Sequence, residues 1–365
     1  MQRLQHALRL LRRAYTNDNE DLRIWIRTIG SLEKTVKKLP SQKSSLKGPL
    51  QELLRTQPQL ANSASFLKFV SKKQSSLHGY AGHCRRFLSY ALHHRGRLHG
   101  RDLRIEDVSA FFWHKVTQDS LNPASLKPIR AGIAFFLKDH AFWNDEWLDS
   151  HTKVLRGIYG KPTKKKRPIT KDMLRRMWNQ VDIHDFYQFR NFLLIYIMFL
   201  ACLRQSEASA LTWDDLAVDI IDFHGVPTEV ISIALRETKT QLPDEGHLVF
   251  LAASPGIPLD PVRLLRQYLS HIPEDGIFVF PTRNGTRMKY KTVNNIFKNA
   301  VRNIGLDPKD FATHSSRIGG VTEAFKLGIS PAVLKAHGRW KSCVVFGYFN
   351  DPMYCHLLVS RALAA

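Results

Sequence analysis

Apolar residues recur along most of this chain at the spacing of helices that are buried on one face. Between residues 62 and 159 the pattern is clearest at Tyr80, Cys84, Phe87 and Leu88, and it continues with apolar positions near residues 108–112 and 129–136. A repeat of three to four residues places such side chains on one side of an α-helix. We therefore predict a compact domain of four or five helices in this part of the chain.

The second half adds a short interval of strand-like alternation to a helical background. Residues 230–235 are rich in β-branched side chains and residues 248–251 form a natural partner, with turn residues over 237–246. This predicts a β-hairpin with Lys239 near its tip. Thr170 is predicted to cap a helix, and residues 192–203 read as a buried one. Further helices are predicted at 261–269, 290–301, 316–327, 331–336 and 356–364.

Two segments interrupt the periodicity and suggest domain boundaries. Residues 40–49 are rich in Ser, Lys and Pro, and residues 161–168 contain two prolines and five basic side chains. We predict a helical amino-terminal extension with a loose tether over residues 1–60, a helical domain over 61–159, a basic linker over 160–169 and a second domain over 170–365. The fold class expected is mainly α with a small β-sheet, α+β in the second domain.

The charge balance indicates a polyanionic partner. The chain has 54 Lys and Arg against 32 Asp and Glu, and its net charge of +22 divides into +19 for residues 1–170 and +3 for residues 171–365. No apolar run reaches the ~18 residues of a membrane span, and the start lacks the apolar core of a signal peptide. Double-stranded DNA is therefore the expected partner, and no membrane is.

Cysteine and histidine usage favours a reduced compartment without a metal site. The four cysteines are widely spaced and form no C-x-x-C pair, and the 16 histidines show no regular i, i+4 pairing. We expect an intracellular protein with no metal and no cofactor. In a eukaryote it would be nuclear, and in a bacterium it would lie in the cytoplasm or nucleoid.

Basic residues in the first half are candidates for contact with a phosphate backbone. Those around the long helix near residues 74–95 and the loop after it are Arg85, Arg86, Arg95, Arg97, Arg101 and Arg104. Those of the linker are Lys164, Lys165, Lys166 and Arg167. A solvated basic face is the alternative for the first set, and the linker could equally track phosphates or serve as a nuclear import signal.

One ordered set of residues in the second half carries candidate chemistry. His-x-x-Arg alone is uninformative because it occurs four times, at His6, His83, His94 and His314. Only the last copy stands within an order of chemically related residues. That order runs Arg204 with Glu207, Lys239 in Thr-Lys-Thr, His314 with Arg317, Trp340 and finally Tyr348.

This order resembles the tyrosine recombinase family, which includes phage integrases and Cre recombinase, over residues 171–348. The resemblance implies a catalytic domain of tyrosine recombinase type, preceded by an all-α, SAM-like core-binding domain, the two closing as a C-shaped clamp around duplex DNA. The sequence Arg-Trp-Lys-Ser, with a tyrosine eight residues after the tryptophan, further resembles the recombinases of DIRS-type retroelements.

The resemblance also implies a role for each residue. Tyr348 would be the nucleophile that forms a 3′-phosphotyrosyl bond, and Lys239 would protonate the departing 5′ oxygen. Arg204, Arg317 and the Trp340 N–H would bind the phosphate, while Glu207 would position the arginines. His314 would hydrogen-bond the phosphate or help to deprotonate the tyrosine. His337 competes with Trp340 for the position that holds a tryptophan or histidine in the family. Tyr354 competes with Tyr348 for the role of nucleophile.

Recombinases of this kind act as homotetramers on DNA and are expected to be monomers or dimers when free. The tail over 349–365 has a length suited to packing on a neighbouring subunit, although it could equally dock on its own subunit.

Two other classes of protein share most of the candidate catalytic residues. One is a DNA-binding protein derived from a recombinase that no longer cleaves, and the other is a type IB topoisomerase.

Overall fold

The chain folds into two compact units, residues 1–163 and 164–365. A computed structural model describes residues 2–15, 21–39, 44–96, 99–162, 165–236, 247–271 and 276–340. Each unit has a hydrophobic core of its own. The division between them falls inside the basic segment 160–169.

The first unit is entirely helical in its described residues. Its helices are α1 Gln2–Tyr15, α2 Leu22–Lys37, α3 Ser44–Thr56, α4 Ala64–Val70, α5 Gln74–Arg95, α6 Ile105–Thr117, α7 Leu126–Leu137 and α8 Asp145–Tyr159. Helix α5 is central and packs against both α2 and α7. It buries Cys84, Phe87 and Leu88 on one stripe, so the helical periodicity predicted for residues 62–159 is confirmed.

Helices α1 to α3 belong to the same core as α4 to α8. Leu11, Trp25 and Ile29 are fully buried in one cluster with Phe87, and the Trp25 Nε1 donates to the carbonyl of Ala14 at 2.9 Å. The sequence-based boundary at residue 60 therefore does not separate two cores. Ordered burial of this kind stabilises the amino-terminal helices through tertiary contacts rather than through helix propensity.

The loose tether predicted over residues 40–49 is wrong for its second half. Residues 44–49 begin α3, and Pro49 lies inside that helix. Proline removes one backbone hydrogen bond from a helix, but Leu53 on the following turn is buried in the core, and Leu50 and Leu54 pack against it. This apolar face offsets the cost of the proline, which the composition of the segment concealed.

The second unit surrounds helix α10 with further helices and a small sheet. Its helices are α9 Lys171–Trp178, α10 Phe186–Leu200, α11 Gln205–Ala208, α12 Pro261–Leu269, α13 Tyr290–Asn303, α14 His314–Lys326 and α15 Pro331–His337. Helix α10 packs against α9, α12, α13 and α14. Thr170 caps α9 as predicted, accepting a hydrogen bond from the N–H of Met173 at 3.2 Å. The predicted helix over 192–203 begins earlier and ends at Leu200.

The sheet has three antiparallel strands in the order β1-β2-β3, with β1 Leu216–Phe223, β2 Val226–Leu235 and β3 His247–Ala252. The predicted pairing of 230–235 with 248–251 is confirmed, because Ile231 lies opposite Leu251 and Ile233 opposite Val249. Strand β1 was not predicted. The sequence signal for it is the turn His224-Gly225, where both residues have positive φ, of 55° and 79°, as a two-residue hairpin turn requires.

Two adjacent glycines allow α14 to approach its neighbours closely. A Cβ on Gly320 would lie 2.1 Å from the carbonyl oxygen of Phe199 near the end of α10, and one on Gly319 would lie 2.0 Å from the carbonyl oxygen of Ile169. No side chain fits at such distances. The first turn of α14, which carries His314 and Arg317, is therefore held against the end of α10.

Candidate active site

The site begins where α10 ends and the chain turns into α11. Glu207 is buried, and its Oε2 accepts the backbone N–H of Arg204 at 2.7 Å while its Oε1 accepts from Arg204 Nη1 at 2.5 Å. The hydrogen bond from the Arg204 N–H to the Glu207 carboxylate is one of the two that form a capping box at the start of α11. It fixes the carboxylate relative to the backbone. Arg204 keeps partial access to solvent, with its side chain 24% exposed. Arg204 and Glu207 are thus brought together in the manner the sequence predicts.

Arg317 enters the same cluster from the first turn of α14. It is 1% exposed, its Nη1 donates to the carbonyl of Cys202 at 2.5 Å, and its Nη2 donates to the carbonyl of Gly338 at 2.7 Å. Its Nη1 also lies 3.8 Å from Glu207 Oε2. The Nε atom of Arg317 is buried without a hydrogen-bond partner, so part of the donor capacity of this guanidinium is unused.

Trp340 covers the guanidinium of Arg317. The Cζ of Arg317 lies 4.4 Å from the centroid of the indole ring, a cation–π contact. The ring folds directly over Gly338, where a Cβ would meet it at 1.6 Å, and it packs in a small cluster with Val321 and Leu334. The indole ring and the two carbonyl partners thus leave Arg317 almost no access to solvent.

His314 lies at the first position of α14, next to the arginine cluster. Its side chain reaches solvent, yet the neighbouring residues exclude enough water to lower its pKa from the ordinary 6.5, and the positive charges of Arg317 and Arg204 lower it further. Protonation would add a cation beside two others. The imidazole is consequently neutral at neutral pH in the absence of DNA, with one nitrogen able to accept a proton.

Arg339 is the residue of this cluster that sequence reasoning missed. Its Nη2 lies 3.4 Å from Glu207 Oε2 and 3.3 Å from the carbonyl oxygen of Cys202, and its Nη1 donates to the carbonyls of Ala201 and His337 at 3.3 and 3.1 Å. The available signal was its place directly before Trp340, in the Arg-Trp-Lys-Ser sequence. An arginine there reads as solvated until its burial is seen.

The ring of His337 contacts the end of α10. Its Nε2 lies 2.8 Å from the carbonyl oxygen of Leu200, so this nitrogen carries the proton. Burial is the main reason for the lowered pKa of its ring. His337 thus ties α15 to the end of α10, and its candidacy for a catalytic role stays a prediction.

The cluster as a whole carries an excess of positive charge. Arg204, Arg317 and Arg339 surround the single buried carboxylate of Glu207. Burial, with a further contribution from the positive charge of Arg204, lowers the pKa of Arg317 to about 10, so the protein favours the charged form of this group less than water does. A buried site with more guanidinium groups than carboxylates is suited to an anion such as a phosphodiester.

Several predicted site residues lie outside the described part of the chain. These are Lys239, Tyr348 and Tyr354, together with Arg97, Lys164 and the tail over 349–365. Their roles stay as the sequence predicts them. The described part of the site therefore contains the phosphate-binding candidates but neither the proposed nucleophile nor the proposed acid.

The other predicted DNA-binding residues that the structure describes are all at least partly exposed. Arg85 pairs with Glu33 at 2.8 Å and Arg95 with Asp107 at 2.7 Å, so both carry a counter-charge from their own unit. The remaining described members are exposed: Arg86, Arg101, Arg104, Lys165, Lys166 and Arg167.

Two of the predicted linker residues pack on the second unit. Lys166 Nζ donates to the carbonyl of Lys309 at 2.5 Å, and the guanidinium of Arg167 lies 5.3 Å from the centre of the Phe311 ring. The end of this segment is thus part of the second unit rather than a free tether.

A second basic surface emerges on the first unit. Lys127, Arg130, Lys153 and Arg156 line a cleft of about 300 Å³ between α7 and α8. Arg130 is neutralised there by Asp145 and Asp149. The sequence signal was the i, i+3 spacing of the basic residues on each helix.

The fold and the cluster define a tyrosine recombinase. The chain belongs to the phage integrase family, whose family model matches residues 167–350. It is 28% identical over 183 residues to the integrase/recombinase xerD homolog of Selenomonas ruminantium, an alignment that covers 48% of this chain. The chain spans about half, 51%, of the length of that curated relative.

Solved structures show the same fold over nearly the whole chain. The XerH site-specific recombinase bound to palindromic difH substrate superposes with a TM-score of 0.61 at 16% identity, covering 93% of this chain and 95% of that one. A lambda integrase dimer bound to a COC′ core site gives 0.54 at 15% identity, covering 90% and 86%. The predicted fold class, mainly helical with a small sheet, is confirmed.

Two further findings concern the described residues alone. No helix among them is both long and apolar enough to cross a membrane. No group of three or more His, Cys, Asp or Glu side chains in the same ranges is placed to hold a metal ion.

Proposed function

We propose that this protein is a site-specific DNA recombinase that cuts and rejoins duplex DNA by a type IB reaction. The observation that carries the proposal is the buried cluster in which three arginines surround Glu207 and leave positive charge uncompensated. Family membership and the DNA-bound structural neighbours support it. The substrate is double-stranded DNA, and the acting assembly is a homotetramer.

The reaction begins with attack of the Tyr348 oxygen on the scissile phosphorus. The new bond is a 3′-phosphotyrosine, the bond that breaks joins phosphorus to the 5′ oxygen, and Lys239 gives that oxygen a proton. The 5′ hydroxyl of a partner strand then attacks the phosphotyrosine and releases the tyrosine. Two such rounds exchange both strand pairs through a Holliday junction, and no nucleotide cofactor is consumed because the phosphodiester energy is conserved.

Fixed cations supply the stabilisation that this transfer needs. Negative charge spreads over the equatorial oxygens of the transition state, and guanidinium groups held in place by protein contacts meet it without reorganisation. Arg204 retains solvent access beside Glu207, and Arg317 has a buried Nε without a partner. We propose that Arg317 exchanges at least one carbonyl partner for a phosphate oxygen when the Trp340 ring shifts.

A pH dependence follows from the state of His314. Because its pKa lies below the ordinary 6.5, the ring is neutral above that value and becomes protonated only at lower pH. If the neutral ring accepts the tyrosine proton, kcat/KM for cleavage falls on the acid side, at a pH below 6.5. In His314→Asn this acid limb should disappear. Single-turnover adduct formation at subsaturating DNA measures it, and an unchanged acid limb in the variant would assign the limb to another group.

Recombination itself separates the proposal from its alternatives. A target duplex is first selected from a random-sequence pool by binding to the Tyr348→Phe variant, and two copies are placed on one supercoiled plasmid. Wild-type protein in EDTA should yield two recombinant products. Relaxed plasmid without recombinants would indicate a topoisomerase, and tight binding without any strand cutting would indicate a DNA-binding protein that no longer cleaves.

A further inference from the structure

Arg339 is buried in the arginine cluster, where it contacts Glu207 and the residues that follow α10. We propose that Arg339 is a positioning residue for strand cleavage, which fixes the Glu207 carboxylate and the end of α10 so that Arg204 and Arg317 can turn to the phosphate. The inference rests on the proposed function. It assigns a third arginine to a site whose sequence pattern contains two.

The contacts of Arg339 define what it positions. Its guanidinium touches the carbonyls of Ala201 and Cys202, directly after α10, and Oε2 of Glu207 at the start of α11. It also donates to the carbonyl of His337. One side chain therefore links the turn between two helices to the segment that carries Trp340, and a planar guanidinium with five donors is suited to such a task.

Arg339 shares both of its main partners with Arg317. Both arginines donate to the carbonyl of Cys202, and both face Glu207 Oε2, at 3.4 Å for Arg339 and 3.8 Å for Arg317. If Arg317 leaves these groups for a phosphate, Arg339 keeps them satisfied. Without Arg339 the buried carboxylate and carbonyl would compete with DNA for Arg317.

Backbone geometry offers a variant that removes only the side chain of Arg339. This side chain is buried, with 4% of it exposed. Its φ is +58°, in the left-handed region that side chains other than glycine and asparagine rarely adopt. The backbone would accept glycine more easily than arginine, so Arg339→Gly removes the guanidinium without imposing backbone strain.

The test compares cleavage with binding in four proteins. Wild type, Arg339→Gly, Arg339→Lys and the control Arg302→Gln, which changes an exposed arginine of α13 bonded to Asn299, are given the duplex selected with Tyr348→Phe. The single-turnover rate of covalent adduct formation at saturating DNA and the Kd are measured for each. Added guanidinium ion at non-denaturing concentration serves as chemical rescue, and thermal unfolding reports the fold.

We expect the rate for Arg339→Gly to fall about 10- to 100-fold with Kd within about threefold of wild type, as for a misplaced catalytic group. Arg339→Lys should recover part of the loss, guanidinium should accelerate Arg339→Gly alone, and Arg302→Gln should match wild type. Unchanged cleavage by Arg339→Gly overturns the inference. So does a loss that neither lysine nor guanidinium relieves, or one that follows weakened folding. Failure of wild type to form any adduct would instead overturn the proposed function.

Discussion

Replacing Arg317 by glutamine is expected to slow strand cleavage by about 10²- to 10³-fold, the usual cost of losing one donor to transition-state charge. Arg317 is the most deeply buried arginine of the cluster, and burial, together with the nearby charge of Arg204, lowers its pKa to about 10. Three arginines face one carboxylate here, and a phosphate that acquires charge during the reaction adds negative charge beside them. Arg317 stabilises the phosphate more in the transition state than in the ground state. The substitution therefore lowers the cleavage rate more than it lowers the affinity for DNA.

The measurement is the single-turnover cleavage rate at saturating DNA, paired with Kd for the selected duplex. Glutamine removes the charge but leaves an N–H donor on the side chain, and thermal unfolding reports whether the fold survives the loss of the contact with the carbonyl of Cys202. Arg317→Lys retains the positive charge but loses the paired N–H donors of the guanidinium. Its cleavage rate should therefore remain well below that of wild type. A cleavage rate within about threefold of wild type in either variant, with adduct still formed, would contradict a role in transition-state stabilisation.

How well the sequence predicts this site depends on how far apart the contacting residues lie along the chain. The contact of Arg204 with Glu207 spans three residues and follows the local pattern of a helix cap, so an ordered motif was sufficient to find it. Arg317 meets Cys202 across 115 positions and Gly338 across 21. Only the packing of α14 on α10, which Gly320 permits, brings those groups together.

The fold shows the same division between local and long-range signals. Helix α12 has the predicted bounds, because Asp260 caps it and Pro261 opens it. Strand β1 was missed since it is largely exposed and Asp219 and Asp222 interrupt its apolar pattern. The residues at 44–49 were misjudged because composition does not reveal that Leu53 reaches a core.

Arg339 illustrates a limit of motif reasoning. Its positive φ and its burial against Glu207 are properties of the folded chain, and neither leaves a mark in the sequence beyond the neighbouring Gly338 and Trp340. Arginine side chains are usually solvated, so the sequence gives no reason to place Arg339 inside the cluster. Arg339 raises the number of guanidinium groups around Glu207 from two to three, and this count could be made only in three dimensions.

Substitution of Tyr348 by phenylalanine is expected to have the largest effect of all, the complete loss of covalent adduct. Phenylalanine lacks the oxygen that bonds to phosphorus, so no residual route through that position exists. DNA affinity should be retained, because the phenolic oxygen contributes one contact among many to the phosphate backbone. Tyr354→Phe is the matched control, since it removes the same oxygen from the competing tyrosine six positions later.

The most direct test of the account is the fate of a 5′-labelled strand of the selected duplex, incubated in EDTA and separated on a denaturing gel. The account predicts a protein–DNA adduct with wild type and with Tyr354→Phe, and none with Tyr348→Phe. Peptide mapping of the adduct should place the DNA on Tyr348. An adduct that persists in Tyr348→Phe, or DNA attached to Tyr354, would contradict the proposed nucleophile and with it the assignment of roles built around that residue.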